Sequence, residues 1–134
     1  MTGICDRLFV YGTLMRGFDH PMAKLLSKSA DFLGEAKCKG RLYRVNHYPG
    51  LVLSDDPAEI VFGEVYRLRA GEELLREFDM YEACGEGFAE PTEYVRKMLT
   101  VALDDGTASE AWTYVYNWPF AQLTRIASGR FLEG

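Results

Sequence analysis

The sequence predicts an α+β fold, in which a curled or closed sheet of about five to seven strands is flanked by two or three short helices. Residues 60–68, 94–103 and 108–117 are predicted to be strands, in which successive side chains point to opposite faces. Residues 70–82 instead repeat their apolar side chains at helical spacing. Glycines interrupt the apolar stretch of residues 31–45, which indicates a bent strand of the kind that forms the corners of small barrels.

The length and composition of the chain favour one folded domain spanning residues 1–134. Hydrophobic residues make up 48% of the chain and aromatic residues 13%, which is enough for a single core without disulfide or metal staples. The net charge is -5, with 15 lysines and arginines scattered among 20 acids. Because phosphate binding needs a concentrated basic face, this charge pattern argues against nucleic acid as a partner.

The sequence shows no targeting or membrane-spanning signal. Residues 1–6 contain no basic region followed by a long apolar segment. No stretch of the chain approaches the roughly 20 apolar residues of a membrane-spanning helix. We therefore expect a soluble, cytoplasmic protein with no membrane partner.

The residues of the commonest catalytic and metal sites do not occur in the required patterns. The histidines His20 and His47 are isolated, which argues against a zinc site, and the serines lack a GxSxG context. Cys84 has no nearby histidine to make it a nucleophile. The chain has three cysteines, Cys5, Cys38 and Cys84, without CxxC spacing. An odd number in this arrangement predicts reduced thiols rather than disulfides or a metal site.

The first predicted strand, residues 8–10, leads into a loop that contains Gly12 and Gly17. Glycine allows a close approach of backbone to ligand, and the amides between the two glycines could form an anion-binding concavity. The spacing is not that of a nucleotide-binding loop, because GxGxxG and a lysine after GxxxxG are both absent. Taken alone, the segment is better explained as an ordinary strand-to-loop turn.

The following elements are short. Pro21 suits the first turn of a helix that continues to about Ser29. After the bent strand, we expect a turn at residues 46–50 and a short strand at residues 51–53.

Glu64 is the one charged residue on the apolar face of the strand predicted for residues 60–68. Its neighbours on that face are Ile60, Phe62, Tyr66 and Leu68. An exposed edge position or a salt bridge explains this glutamate better than a ligand contact does.

The helical pattern of residues 70–82 ends on an acid, Glu82, that follows an apolar stripe of Leu74, Leu75, Phe78 and Tyr81. If the helix persists to Glu82, the carboxylate lies inside that stripe and must be paired, hydrogen-bonded or held in a pocket. Such burial would raise its pKa and make it a proton acceptor near neutral pH. If the helix ends near Met80, Glu82 lies in solvent, and the pattern alone favours neither alternative.

The second half of the chain comprises a polar loop at residues 83–92 and a hairpin whose turn is Asp105-Gly106. Residues 120–134 form a short amphipathic tail. The return strand of the hairpin presents an aromatic stripe, which is more typical of a core than of a cofactor site, although tyrosine hydroxyls can project into the mouth of a pocket: Trp112, Tyr114 and Tyr116.

Five motifs in this order resemble the gamma-glutamylcyclotransferase-like family, which includes small AIG2-like proteins. They cover most of the chain and are Tyr11-Gly12-Thr13-Leu14, Tyr48-Pro49-Gly50, Gly63-Glu64-Val65-Tyr66, Asp79-Met80-Tyr81-Glu82 and Tyr94-Val95-Arg96. The resemblance implies a small mixed β-barrel with flanking helices and a pocket beside the first loop.

The resemblance also implies an enzyme, a gamma-glutamyl cyclotransferase that needs no metal or organic cofactor. In that reaction the α-amine of a γ-glutamyl group attacks its own γ-carbonyl, which releases 5-oxoproline and an amine or amino acid. By motif position, Glu82 resembles the catalytic acid/base of the family. The implied substrate-binding residues are Tyr11, Gly12, Thr13 and Leu14 in the first loop, with Tyr94, Arg96 and Tyr116 as weaker candidates.

Two features depart from the usual family pattern. Ala83 stands where a glycine commonly follows the catalytic glutamate, and the loop between Glu82 and Tyr94 is long and acidic. The acidic loop suggests that the leaving group is a cationic amine. The alternatives to an enzyme are a non-catalytic module that binds γ-glutamyl or amino-acid derivatives, and a barrel that serves protein interaction. The partner expected is a small-molecule γ-glutamyl substrate, and a homodimer is left open.

Overall fold

The computed structural model describes residues 6–12, 15, 21–46, 48–69, 71–82 and 90–131. Within these residues the chain forms seven strands and two helices: β1 (Arg7–Val10), α1 (Pro21–Ser29), β2 (Ala30–Arg44), β3 (Pro49–Leu53), β4 (Ile60–Leu68), α2 (Gly71–Tyr81), β5 (Tyr94–Leu103), β6 (Ala108–Tyr116) and β7 (Thr124–Arg125). The two described helices, 9 and 11 residues long, are too short to cross a membrane.

Five strands close into a barrel in the order β1, β4, β2, β3, β6 and back to β1. The β1–β4, β4–β2 and β2–β3 pairs are antiparallel, whereas β3–β6 and β6–β1 are parallel. Strand β5 pairs with the whole of β6 and also reaches β2, and β7 pairs with β2. The prediction of a small mixed β-barrel with flanking helices is therefore confirmed.

The core lies inside this barrel and beneath the two helices. Helix α2 buries Leu74, Leu75 and Phe78, and α1 buries Ala23 and Leu26. The side chains with no exposed surface come from strands on all sides of the barrel and include Leu8, Leu51, Val61, Val65, Ala111 and Thr113. Removal of this apolar surface from water is the main stabilising contribution to the fold.

Most element boundaries agree with the periodicity of the sequence, and the exceptions have local causes. The β2 strand shifts register between Phe32 and Gly34, at the first of the glycines expected to bend it. Strand β3 begins at Pro49 and not at Leu51 as expected, because Pro49 and Gly50 already pair with β2. The hairpin between β5 and β6 has a loop of residues 104–107, longer than the Asp105-Gly106 signal suggests.

Two side chains lie where the sequence did not place them. Of the two explanations offered for Glu64, the exposed edge position is wrong, because β4 is flanked by β1 and β2 and Glu64 is only 8% exposed. Its carboxylate accepts a hydrogen bond of 3.0 Å from the Tyr66 hydroxyl. Tyr81 was expected in the buried stripe of α2, but it is the last helical residue and is 40% exposed.

Candidate active site

The candidate site lies at the end of the barrel where β1 leaves the sheet beside β3 and β6. Tyr11 follows β1 directly, and its ring is buried. Its hydroxyl donates to the Tyr114 carbonyl at 2.5 Å and accepts from the Leu51 amide at 3.1 Å. Burial is the main cause that raises the pKa of Tyr11. One side chain thereby joins β3 and β6 across their parallel seam.

The backbone around this tyrosine is packed too closely for larger residues. A Cβ on Gly12 would lie 2.7 Å from Cγ of Pro49, and a Cβ on Gly50 would lie 2.8 Å from Cβ of Tyr116. The Gly12 carbonyl accepts from the Met15 amide at 3.0 Å. Thr13 and Leu14, which complete the predicted substrate loop, lie outside the described residues, so their expected contacts stay predictions.

Glu82 lies directly after α2 and is half-buried. Its amide donates to the Phe78 carbonyl at 2.8 Å, so the helical hydrogen bonding continues to this residue. Among the described residues, no hydrogen-bond donor or cation contacts its carboxylate. Burial, followed by the negative charges of Glu93 and Asp79, raises the pKa of Glu82 to about 7. The sequence left open whether Glu82 lies inside the apolar stripe or in solvent. The structure favours the first alternative, because the helical hydrogen bonding reaches Glu82 and its side chain is partly buried.

The Glu82 carboxylate acts electrostatically on three tyrosines at this end of the barrel. Burial is the largest cause of the raised pKa of Tyr11, Tyr48 and Tyr94, and the Glu82 charge adds to all three shifts. The Tyr94 hydroxyl donates to the Pro49 carbonyl at 2.6 Å, and its ring lies edge-on to that of Tyr116, with centroids 5.4 Å apart. Tyr11, Tyr48 and Tyr94 therefore lie within electrostatic range of the Glu82 carboxylate.

Two of the three tyrosines predicted to bind substrate already use their hydroxyls in hydrogen bonds within the protein. Those of Tyr11 and Tyr94 are engaged with the backbone of the barrel. The hydroxyl of Tyr116 has no hydrogen-bond partner in the described part of the chain. Of the three, Tyr116 therefore retains a hydroxyl that can bind a ligand.

Arg96, expected as a weak pocket candidate or a surface ion pair, anchors the helix that carries Glu82. Its Nε and Nη2 donate to the two carboxylate oxygens of Asp79 at 2.8 and 3.1 Å. The Tyr114 hydroxyl donates to the same carboxylate at 2.7 Å, and the guanidinium lies 4.4 Å from the centroid of the Trp112 ring. These contacts fix the last turn of α2 against β5 and β6.

The pair formed by Tyr48 and Glu93 is a part of the site that sequence reasoning missed. The Tyr48 hydroxyl donates to Oε2 of Glu93 at 2.7 Å, and its ring centroid lies 6.2 Å from that of Tyr94. Tyr48 was interpreted only as part of the turn at residues 46–50, and Glu93 as one acid of the loop between Glu82 and Tyr94. The available signal was that Tyr48 begins one family motif and Glu93 directly precedes another, although their separation of 45 residues concealed the contact.

The described residues give little support to a metal site or a reactive thiol. They contain no group of three or more side chains suited to hold a metal ion. Burial raises the pKa of the Cys38 thiol to about 12, so this group is a poor nucleophile. Two clefts, of ≈ 580 and ≈ 330 Å³, have linings that do not include Glu82. The group best suited to move a proton near neutral pH is Glu82.

The first prediction concerns Arg96→Lys. Lysine cannot reproduce the paired hydrogen bonds to Asp79 or the planar contact with Trp112, so we expect a loss of about 1–2 kcal/mol in the free energy of unfolding. Urea unfolding measures the effect. The control is Arg67→Lys, because that arginine is 56% exposed and lies 3.6 Å from Asp31, and we expect it to change stability by less than about 0.5 kcal/mol. Equal stabilities of the two variants would contradict the anchoring role.

The second prediction concerns Glu82→Gln and the pH dependence of stability. Because the folded-state pKa is raised from 4.5 to about 7, the folded chain binds this proton more tightly than the unfolded chain does. The resulting stabilisation is complete below about pH 4.5 and is lost as the pH rises through about 7. Glutamine mimics the protonated acid at every pH. The variant should therefore gain about 5–10 °C in Tm relative to the parent between pH 5 and pH 8.5.

Thermal unfolding at the two pH values provides this comparison. The matched control is Glu77→Gln, which alters an exposed acid of the same helix. Its Tm difference from the parent should be nearly the same at both pH values. A Tm difference for the Glu82 variant that is equally insensitive to pH would mean that Glu82 is solvated.

Comparisons with known proteins agree with this geometry. A family model described as "Gamma-glutamyl cyclotransferase, AIG2-like" matches residues 8–133. The gamma-glutamylcyclotransferase family protein ytfP of Citrobacter rodentium is 35% identical over 130 residues, which are 95% of this chain and 96% of that protein.

Solved structures give the same result. The solution structure of ytfP from Escherichia coli has a TM-score of 0.63 at 32% identity, with 95% of this chain and 96% of that chain covered. The crystal structure of an AIG2-like protein from mouse has a TM-score of 0.69 at 26% identity, with 87% and 80% covered. The chain described here belongs to the gamma-glutamyl cyclotransferase, AIG2-like family.

Proposed function

We propose that this protein is a gamma-glutamyl cyclotransferase in which Glu82 is the general acid/base. The observation that carries the proposal is the half-buried carboxylate of Glu82, which has no hydrogen-bond or ion-pair partner among the described residues and whose pKa is raised to about 7. A carboxylate with such a pKa can both accept and donate a proton near neutral pH. The names of the relatives support the same reaction class.

The reaction requires little beyond proton transfer and positioning. The α-nitrogen of the substrate forms a bond to its own γ-carbon, and the bond between that carbon and the leaving nitrogen breaks. Two protons leave the α-ammonium, and two arrive at the leaving nitrogen, which departs as an ammonium ion. One carboxylate placed between the two nitrogens can carry these protons in turn, so no external base or cofactor is consumed.

Positioning of the substrate supplies the remaining contribution. The α-amine and γ-carbonyl belong to one molecule, so the site must fold the glutamyl chain until these groups meet. In the proposal, the backbone of Tyr11, Gly12, Thr13 and Leu14 holds the glutamyl group. Tyr94 contributes its ring as a wall because its hydroxyl is engaged with Pro49, whereas Tyr116 can donate through its hydroxyl.

The third prediction tests this function with Glu82→Gln. We expect the parent protein to release 5-oxoproline from at least one member of a panel of γ-glutamyl amino acids and γ-glutamyl amines. Loss of the acid/base should lower kcat by about 10²- to 10⁴-fold. In the parent, kcat/KM should rise with pH through about 7, because the free enzyme needs Glu82 ionised.

The control for this experiment is Glu77→Gln, since it removes one acid from the same helix outside the site. It should retain the parent rate. Release of 5-oxoproline by the Glu82 variant at the parent rate would exclude the acid/base role. Binding of panel members without release by the parent would identify the protein as a ligand-binding module.

A further inference from the structure

Glu93 is held in a fixed position at the edge of the candidate site. The Asn117 amide donates to the Glu93 carbonyl at 2.7 Å, and the Asn117 side chain donates to the Thr92 carbonyl at 3.0 Å. The Trp118 indole donates to the Pro91 carbonyl at 2.9 Å. These hydrogen bonds attach the segment before β5, which includes Glu93, to the segment after β6.

The side chain of Glu93 is oriented but only partly satisfied. Tyr48 donates to Oε2 at 2.7 Å, while Oε1 has no donor within the described residues. No cation pairs with this carboxylate in the described part of the chain. By contrast, the Asp79 charge is neutralised by Arg96. A half-buried carboxylate that has one unbonded oxygen and no counter-ion among the described residues is suited to a cationic ligand.

The negative charge of Glu93 acts on four titratable groups of the site. It contributes to the raised pKa of Glu82, Tyr48, Tyr94 and Tyr116, although burial is the largest cause in each case. Among the described residues, the titratable groups that interact electrostatically with Glu82 are Asp79 on α2, Glu93 directly before β5, Tyr94 at the start of β5, Tyr11 after β1 and Tyr48 before β3. Glu93 is the one full negative charge among them that is not already paired with a cation among the described residues.

We propose that Glu93, held by Tyr48, binds the α-ammonium of the γ-glutamyl substrate and presents it to Glu82. This inference rests on the proposed function and assigns its substrate recognition. The α-ammonium is the cation that every γ-glutamyl substrate carries, whatever its leaving group. The two carboxylates then have separate tasks, in which Glu93 holds the cation and Glu82 removes its proton.

The nucleophile of the substrate is an amine that carries a positive charge before the reaction. A site with two nearby carboxylates suits such a substrate. The ammonium compensates the repulsion between Glu82 and Glu93 and favours the ionised form of Glu82 when the substrate binds. A ligand of the same shape without the amine leaves that repulsion uncompensated. Glu93 should therefore distinguish a γ-glutamyl amide from its deamino analogue.

The fourth prediction compares these two ligands by calorimetry in a Glu82→Gln background, in which turnover does not consume the ligand. The probes are γ-glutamylmethylamide and N-methylglutaramate, which differ only in the α-amine. We expect the amine to improve affinity by about 10- to 100-fold, as hydrogen bonds to charged groups do. Addition of Glu93→Gln should reduce this ratio to near one.

Two further variants make the result specific to Glu93. Glu90→Gln removes an exposed acid from the same segment and should leave the ratio unchanged. Tyr48→Phe keeps the Glu93 charge but removes the hydroxyl that orients it, so the ratio should fall by a smaller factor. In otherwise native protein, Glu93→Gln should also raise KM more than it lowers kcat and move the pH dependence of kcat/KM to lower pH.

The outcomes separate this inference from the proposed function. An affinity ratio that survives Glu93→Gln, or that is already near one in the Glu82→Gln parent, overturns the role of Glu93 even if the native protein releases 5-oxoproline. A ratio that depends on Glu93 in a protein that releases none supports the recognition role and rejects the catalytic proposal. If neither probe binds the Glu82→Gln protein, the inference fails.

Discussion

The parallel seams of the barrel are the constraint on which the rest of the structure depends. Each of the β1–β6 and β3–β6 contacts has a single registered residue pair, so backbone pairing alone holds them weakly. The Tyr11 hydroxyl adds two hydrogen bonds across one seam. Gly12 and Gly50 allow the neighbouring chains to approach. The candidate site is built where this closure brings β1, β3 and β6 together, so the motif that closes the barrel also forms one side of the site.

The site contains three acids in different environments. Asp79 is paired with Arg96 and Tyr114, Glu93 accepts from Tyr48, and the Glu82 carboxylate has no partner among the described residues. Burial therefore acts on Glu82 without compensation, and the two nearby negative charges raise its pKa further. The Asp79 anchor holds the last turn of α2, directly before Glu82, against β5 and β6.

Much of the fold could be predicted because its elements follow simple periodicities. The boundaries of β4, β5 and α1 coincide with those expected from the sequence. Glu64 was misplaced because periodicity assigns a residue to a face but does not reveal that β4 has a neighbour on each side. The enclosure of Glu82 depends on packing at a helix end, and the Tyr48–Glu93 contact joins residues 45 positions apart. Such contacts follow from barrel closure, which local sequence patterns do not encode.

The central claim is that Glu82 is a partly desolvated acid with a pKa suited to proton transfer. Carbon-13 NMR of glutamate-labelled protein, with the Glu82 signal assigned through Glu82→Gln, measures that pKa directly. The account predicts a midpoint of about 7 in the ligand-free protein. A midpoint near the ordinary value of 4.5 would show that the carboxylate is solvated and would contradict the account of this site.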